Sequence, residues 1–152
     1  MILLPSKKDE RSFIAYLEER FDVGHDIFHA YRIYAGPKGY LCIGPRIITE
    51  SLRYRFLGVP IARMGKTIKP IQSFFTIFGN HVQKNSIALT KDQTLMYIQG
   101  NTQHLTAEQC LTVTSGAVML TFQDMILGGG ILQGNELKSL VPKAKRLDVK
   151  YL

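Results

Sequence analysis

The chain has 152 residues, of which 45% are hydrophobic and 20% are charged, an ordinary composition for a globular protein. Its 19 lysine and arginine residues outnumber 12 acidic ones, and this net charge of +7 favours polyanionic partners, nucleic acid before an anionic membrane, unless the charge serves solubility alone. The apolar start is too short for a signal peptide, and no apolar run approaches the roughly 20 residues of a membrane span, so we expect neither export nor membrane insertion.

The first predicted element is an amphipathic helix. Ser6 is placed to cap it, and Gly24 is placed to end it. Its apolar residues recur at the spacing of one helix face, while charged residues cover the other face. The apolar residues are Phe13, Ile14, Leu17 and Phe21.

A group of strands follows in the first half. Residues 28–34 and 40–43 alternate as two paired strands with a turn between them. Pro45 predicts the start of a helix that runs to residue 52. Residues 56–62 predict another strand, which Pro60 restricts to a sheet edge or a bulge.

The pattern breaks near residues 65–70, and we place a domain boundary there. The prediction is an N-terminal α/β domain over residues 1–68 and a second domain over residues 69–152. A short apolar helix or turn at 71–78 and a strand at 87–89 open the second domain. The predicted fold class is therefore α+β.

The second domain continues with a helix and a hairpin. Thr90 is placed to cap a helix over Lys91–Ile98, which Gly100-Asn101 ends. Residues 117–122 and 125–132 are two apolar runs around Gln123-Asp124, a pattern typical of a β-hairpin.

Basic residues concentrate at two places along the chain. Residues 1–70 carry a net charge of +5, residues 71–125 carry −1, and residues 126–152 carry +3. In the first block the cations that could form a surface are Arg53, Arg55, Arg63 and Lys66. In the last block they are Lys138, Lys143, Lys145, Arg146 and Lys150.

Three consecutive glycines, Gly128, Gly129 and Gly130, interrupt the second strand of the hairpin. They lack the spacing of a nucleotide-binding loop and precede no helix. One interpretation is a loop or bulge on a bare strand edge, where backbone N–H groups approach a phosphate or a base. The other is a twisted strand that needs a positive φ for packing.

The basic tail after this hairpin has apolar residues between its charges, and Pro142 fixes a bend in it. We therefore expect the tail to be attached to the fold rather than free. Held like charges repel one another, which favours an anionic partner over a merely solvated surface. Four contacts to single-stranded phosphates would give a slope of log K against log salt near −2.8, roughly a 50-fold loss between 50 and 200 mM salt.

Signs of catalysis or of a metal site are weak in this sequence. His25 and His29 have i, i+4 spacing, but the strand-like sequence after His29 argues against the helix that a metal pair would need. Cys42 and Cys110 stand far apart without ligand spacing, as expected of reduced buried thiols in a cytosolic protein. We predict no catalytic residue, no metal and no cofactor.

From about residue 69 onward the layout resembles a PUA domain, a small β-barrel that binds RNA. The residues that carry the resemblance are 91–101, with a helix leading into a Gly-Asn turn, then 116–120, 126–134, 137–139 and 141–143. Two groups of proteins are similar. One is the ribosome-biogenesis family that joins an N-terminal "pre-PUA" α/β domain to a PUA domain and acts in large-subunit pre-rRNA processing. The other is the PUA-like C-terminal domain of Sun-type rRNA cytosine methyltransferases.

The resemblance implies an RNA site in this chain. PUA domains hold RNA through the helix-to-glycine turn, the glycine-bearing strand and basic residues near the C-terminus. The corresponding residues here are Gly100 and Asn101, residues 127–130, and Lys138, Lys143, Lys145 and Arg146. The turn departs from the pattern, because it carries Gln99 and Gln103 rather than strongly basic residues. Sun-type enzymes need a fold that binds S-adenosylmethionine and a catalytic cysteine in a Pro-Cys motif. This chain is too short for that fold and has no Pro-Cys motif, so we expect it to bind RNA without methylating it.

These observations predict a non-catalytic RNA-binding accessory factor in rRNA maturation or ribosome biogenesis. It would be cytoplasmic, or nucleolar in a eukaryote. Its partners would be rRNA or pre-rRNA, together with ribosome-assembly proteins or an RNA methyltransferase. Charge reversal at Lys143 and Arg146 should weaken RNA binding without unfolding the protein. The alternative is an adaptor that binds a modifying enzyme or an assembly complex without touching RNA.

Overall fold

The computed structural model describes residues 3–47 and 57–148. Its contacts divide the chain into two compact units, Met1–Phe74 and Phe75–Leu152. Helices accompany two separate sheets, which confirms the predicted α+β class. That residues 1–68 and 69–152 are the two domains stays a prediction. Within the described ranges, no helix is both long enough and apolar enough to cross a bilayer.

The first unit opens with helix α1 (Lys7–Phe21), as the apolar spacing predicts. The Oγ atom of Ser6 accepts a hydrogen bond from the N–H of Asp9 at 3.0 Å, which confirms the predicted cap. Three apolar residues of the helix, Phe13, Leu17 and Phe21, are almost fully buried. The helix ends before Gly24, because Asp22 adopts a left-handed φ of 54° and closes the last turn.

The described part of the first unit also contains a four-stranded antiparallel sheet. Its strands, in sheet order, are β1 (Tyr31–Ala35), β2 (Tyr40–Pro45), β3 (Val59–Met64) and β4 (Ile68–Pro70). The predicted pairing of the first two strands is confirmed. Phe28, expected in the first strand, instead ends a short 3-10 helix (His25–Phe28).

The sequence predicts a helix start at Pro45 and a sheet edge or bulge at Pro60. Pro45 ends β2 instead of opening a helix, and the rest of that predicted helix falls outside the described residues. The pairing of β2 with β3 skips one residue, since Leu41 faces Ala62 while Cys42 faces Pro60. Ile61 is the unpaired residue of this β-bulge. A bulge at this place agrees with the prediction from Pro60, because proline has no N–H to donate to the ladder.

Between residues 72 and 139, all of them described, the chain forms eight α-helices and β-strands. They are α2 (Gln72–Phe78), β5 (Ser86–Ala88), α3 (Lys91–Ile98), β6 (Gln103–His104), α4 (Ala107–Cys110), β7 (Gly116–Phe122), β8 (Met125–Gln133) and β9 (Glu136–Ser139). Strands β5 to β9 form one sheet in the order β5-β7-β8-β9-β6. Strand β5 runs parallel to β7, and the other pairs are antiparallel.

The predicted hairpin is present as β7 and β8. Gln123 and Asp124 connect the two strands, and both have positive φ, as a two-residue type I′ turn requires. Thr90 caps α3 as predicted, in a full capping box with Gln93. Thr106 caps α4 in the same way with Gln109, which the sequence reading did not anticipate.

The two capping glutamines also bond to each other. Nε2 of Gln93 lies 2.9 Å from Oε1 of Gln109, and the reciprocal distance is 2.8 Å. A third glutamine, Gln103, donates from its nearly buried side chain to the carbonyl of Gln93 at 2.9 Å. The start of α3 is therefore fixed by side-chain hydrogen bonds from two other segments.

The three glycines of β8 lie in the interior of the sheet. The expectation of a bare glycine edge is wrong, because β8 pairs with β7 on one side and with β9 on the other. Gly128, Gly129 and Gly130 are all buried. A Cβ added at Gly129 would overlap the ring of Phe75, itself fully buried. The packing interpretation thus agrees with the contact at Gly129, while the positive φ that it required is present only at Gly128, at 141°.

Substituting alanine at Gly129 should destabilise the protein. The new methyl group must displace a buried aromatic ring, and such overpacking costs about 1–3 kcal/mol. Gly65→Ala is the matched control, because a Cβ there would come no closer than 3.8 Å to another atom. Urea unfolding followed by circular dichroism measures both. Equal midpoints for Gly129→Ala and the wild type would contradict the packing role.

Candidate nucleic-acid interface

The C-terminal end of α3 is the first part of the candidate interface. Gly100 has a φ of 79°, a conformation that favours glycine, and its N–H bonds to the carbonyl of Tyr97 at 2.9 Å. The N–H of Asn101 bonds to the carbonyl of Met96 at 3.0 Å, and its side-chain amide donates to Gln99 at 2.8 Å. The helix therefore ends where the sequence predicted, in a turn closed by its own hydrogen bonds.

The basic tail is attached to this helix end. Oγ of Ser139 donates to the carbonyl of Tyr97 at 3.0 Å and accepts from the N–H of Val141 at 3.1 Å. Beyond a 3-10 turn (Lys143–Lys145), the N–H of Leu147 bonds to the carbonyl of Ile98 at 3.1 Å. These bonds confirm that the tail is held against the fold.

Arg146 lies directly on Gly100. A Cβ added at Gly100 would come within 2.6 Å of Cζ of Arg146, and Nε of Arg146 donates to the carbonyl of Val141 at 3.2 Å. A cation beside the last turn of a helix is also favoured by the partial negative charge of the free carbonyls there. The structure thus brings together two residues that the sequence assigned to RNA binding from separate segments, and it gives Arg146 a packing role.

Three lysines of the tail are exposed to solvent. Lys143 and Lys145 share the 3-10 turn between Pro142 and Arg146, and Lys138 lies on β9 beside the buried Leu137. Asn101 is exposed at the adjoining helix end. Lys150, the fifth predicted cation, lies outside the described residues.

The glycine strand contributes support beneath the tail rather than an open surface. The carbonyl of Gly129 accepts from the hydroxyl of Tyr97 at 2.8 Å and from the N–H of Leu140 at 3.2 Å. Tyr97 and the glycines are buried, so this carbonyl is engaged inside the protein. A direct role of Gly128–Gly130 in RNA contact stays a prediction.

The predicted second surface is partly described. Arg63 is exposed on β3, and its guanidinium carbon lies 5.8 Å from the centre of the Tyr40 ring, a cation–π distance. Lys66 is exposed in the turn between β3 and β4. Arg53 and Arg55 lie outside the described residues.

The histidines and cysteines considered as metal ligands or nucleophiles lie among the residues that the structure describes. Within them, no three His, Cys, Asp or Glu side chains are grouped to hold a metal. His25 lies 3.9 Å from the carboxylate of Glu18, and both side chains are well exposed. Burial raises the pKa of the Cys42 thiol, which leaves it protonated and a poor nucleophile at neutral pH. Both cysteines are free thiols.

Sequence reasoning missed the residues that hold the tail in place. Ser139 and the hydroxyl of Tyr97 connect β9, β8 and α3, and the sequence predicts this connecting role for neither. The available signal was weak, because a serine at a strand end and a tyrosine in a helix are common. Lys69 was also left out of the predicted site, although it is exposed and faces Arg63 across β3 and β4.

The contact between Gly100 and Arg146 can be tested with a double-mutant cycle. Gly100→Ala should cost about 1–2 kcal/mol from the positive φ alone, plus the cost of displacing Arg146. In an Arg146→Ala background the second part should disappear, leaving a coupling of about 0.5 kcal/mol or more. Urea unfolding of the four proteins gives the coupling. Gly100→Asn is the control, because asparagine tolerates positive φ better while still adding a Cβ. Strictly additive costs would mean that the two residues do not touch in solution.

The C-terminal part of the chain, which contains the Gly100 turn and the basic tail, matches a known protein family. Residues 84–147, a little less than half of the chain, match the model of the family described as "Methyltransferase RsmF PUA domain". A search of curated proteins gave no match to the chain. The matched segment contains the Gly100 turn, the glycine strand, Lys138, Lys143, Lys145 and Arg146. The predicted resemblance to the PUA-like domain of Sun-type rRNA methyltransferases is therefore confirmed over residues 84–147.

Proposed function

We propose that this protein is a non-catalytic RNA-binding accessory factor in rRNA maturation or ribosome biogenesis. The observation that carries the proposal is the attached tail of the PUA-like domain, with Lys143 and Lys145 exposed beside Arg146 and the Gly100 turn. The match to a PUA domain supports RNA as the partner. The choice of rRNA as the substrate is supported by the resemblance of this domain to that of Sun-type rRNA methyltransferases.

The mechanism is electrostatic capture by preordered cations. Ser139 and Leu147 fix the backbone on either side of Lys143 and Lys145, so less chain entropy is lost when RNA binds. Phosphate contacts of this kind position an RNA without reading its sequence. The protein would then present the RNA to ribosome-assembly proteins or to an RNA methyltransferase. It would act in the cytoplasm, or in the nucleolus of a eukaryote.

Neutralising two tail lysines should weaken RNA binding with a defined salt signature. With four phosphate contacts, log K falls against log salt with a slope near −2.8, and Lys143→Gln/Lys145→Gln should bring the slope to about −1.4. The loss of affinity between 50 and 200 mM salt should then shrink from roughly 50-fold to roughly 7-fold. Fluorescence anisotropy with single-stranded and structured rRNA fragments measures both quantities.

The matched control is Lys84→Gln/Lys91→Gln, which removes the same charge from two exposed lysines of the same unit. Arg146 is left intact, because its packing on Gly100 would mix a structural change with the change of charge. A wild-type slope in a folded Lys143→Gln/Lys145→Gln protein would disprove the tail site. If no RNA binds at low salt, the adaptor hypothesis replaces this one. Binding of S-adenosylmethionine would contradict a non-catalytic role.

A further inference from the structure

A row of three side chains crosses the sheet of the first unit. In the strand register, Tyr40 of β2 faces Arg63 of β3, and Arg63 faces Lys69 of β4. Directly paired residues project on the same side of a sheet, about 5 Å from strand to strand. The 5.8 Å distance between the Arg63 guanidinium and the Tyr40 ring agrees with this arrangement. We call these three residues the sheet row.

The adjoining row of the same strands has the opposite character. Leu41, Ala62 and Pro70 are paired in the same way, and all three are buried. Arg63 and Lys69 are exposed, and Tyr40 is half-buried. The alternation shows that the sheet row faces solvent at this end of the sheet.

Two further lysines lie at the same end of the sheet. Gly39 lies so close to Met64 that an added Cβ would come within 2.7 Å of the Met64 carbonyl oxygen. The turn that carries Lys38 is therefore beside the turn that carries Lys66, and both lysines are exposed. Lys38 adopts a φ of 56°, a backbone conformation that glycine would hold with less strain.

Charge around the sheet row is one-sided. Between Ala35 and Pro70 the sequence has seven lysine or arginine residues against a single acid, Glu50. Among the described residues, no carboxylate lies within ion-pair distance of the cations of the row or of its flanking turns. A cluster of this kind lowers the stability of the unliganded protein slightly and attracts a polyanion.

We propose that the sheet row binds an unpaired segment of RNA. Lys38, Lys66 and Lys69 contact phosphates, while the Tyr40 ring and the Arg63 guanidinium offer planar faces on which a base stacks. An acidic protein segment would also be attracted by the cations, but it would gain nothing from the aromatic ring, so the geometry favours RNA. This inference rests on the proposed function, and it adds Tyr40, Lys38 and Lys69 to the predicted second surface.

The first test measures the charge of the sheet row. The probe is a fluorescein-labelled oligouridylate of about 12 nucleotides, unpaired and within the usual range of single-strand site sizes. Lys66→Gln/Lys69→Gln in the full chain should reduce the magnitude of the salt slope by about 1.4. Lys7→Gln/Lys8→Gln is the matched control, because it removes equal charge from two exposed residues of the same unit and should leave the slope unchanged.

The second test measures stacking. Tyr40→Leu should weaken binding by about tenfold, whereas Tyr40→Phe keeps the ring and should retain wild-type affinity. Arg63→Lys keeps the charge but loses the planar guanidinium, so it should weaken binding with little change in the salt slope. Melting curves by circular dichroism show that each variant is folded. Wild-type affinity in folded Tyr40→Leu and Lys66→Gln/Lys69→Gln proteins would disprove the site.

Combining the sheet-row and tail variants separates this inference from the proposed function. If Lys66→Gln/Lys69→Gln removes the binding that remains in the Lys143→Gln/Lys145→Gln protein, the sheet row is confirmed. If that remaining binding is unchanged, the sheet-row inference is wrong and the tail site stands. Loss of binding only with the sheet-row variant supports the row and disproves the tail site. A labelled oligoglutamate of equal charge that binds as tightly as the RNA would overturn the inference in favour of an acidic protein.

Discussion

The C-terminal unit depends on the close packing around one glycine. The ring of Phe75 occupies the space where any other residue at position 129 would place its Cβ. The carbonyl of Gly129 then accepts hydrogen bonds from the hydroxyl of Tyr97 and from the N–H of Leu140. These bonds position α3 and the chain after β9 relative to the same strand. A buried carbonyl without a hydrogen-bond partner would lower the stability of the fold. The two hydrogen bonds to Gly129 therefore favour the observed positions of Tyr97 in α3 and of Leu140 after β9.

This packing determines where the charges of the tail lie. Tyr97 precedes the helix end, so fixing its side chain also fixes the Gly100 turn three residues later. Arg146 packs on that turn, and Leu147 bonds to the carbonyl of Ile98 just before it. Lys143 and Lys145 lie on the stretch of backbone between these attached points. The buried contacts around Gly129 thus determine where a group of like charges lies on the surface, and such a group attracts anionic ligands.

Local signals in the sequence predicted the local structure well, and pairing between distant segments escaped them. Ser6, Thr90 and the Gln123-Asp124 turn act on residues within four positions of themselves, so their helices and hairpin could be read directly. The central place of β8 in its sheet could not be predicted in this way. The run of three glycines fits an edge strand and an interior strand equally well, and only the pairing of β8 with β9 distinguishes the two. The helix predicted to begin at Pro45 was wrong for a related reason, because a proline that can begin a helix can equally end a strand. The sheet row could not be predicted from the sequence, because Tyr40 lies far along the chain from Arg63 and Lys69, and only the strand register places the three in one row.

The two proposed surfaces differ in what they could recognise. The tail offers cations beside a helix end, and Tyr97, whose backbone carbonyl accepts a hydrogen bond from Ser139, is buried. A surface of this kind would hold phosphates and contribute affinity with little preference for sequence. The sheet row adds a half-exposed ring and a guanidinium to its lysines, and base stacking needs an unpaired strand. Any preference for single-stranded over duplex RNA should therefore arise from Tyr40 and Arg63, while most of the salt dependence that remains without them should arise from the lysines.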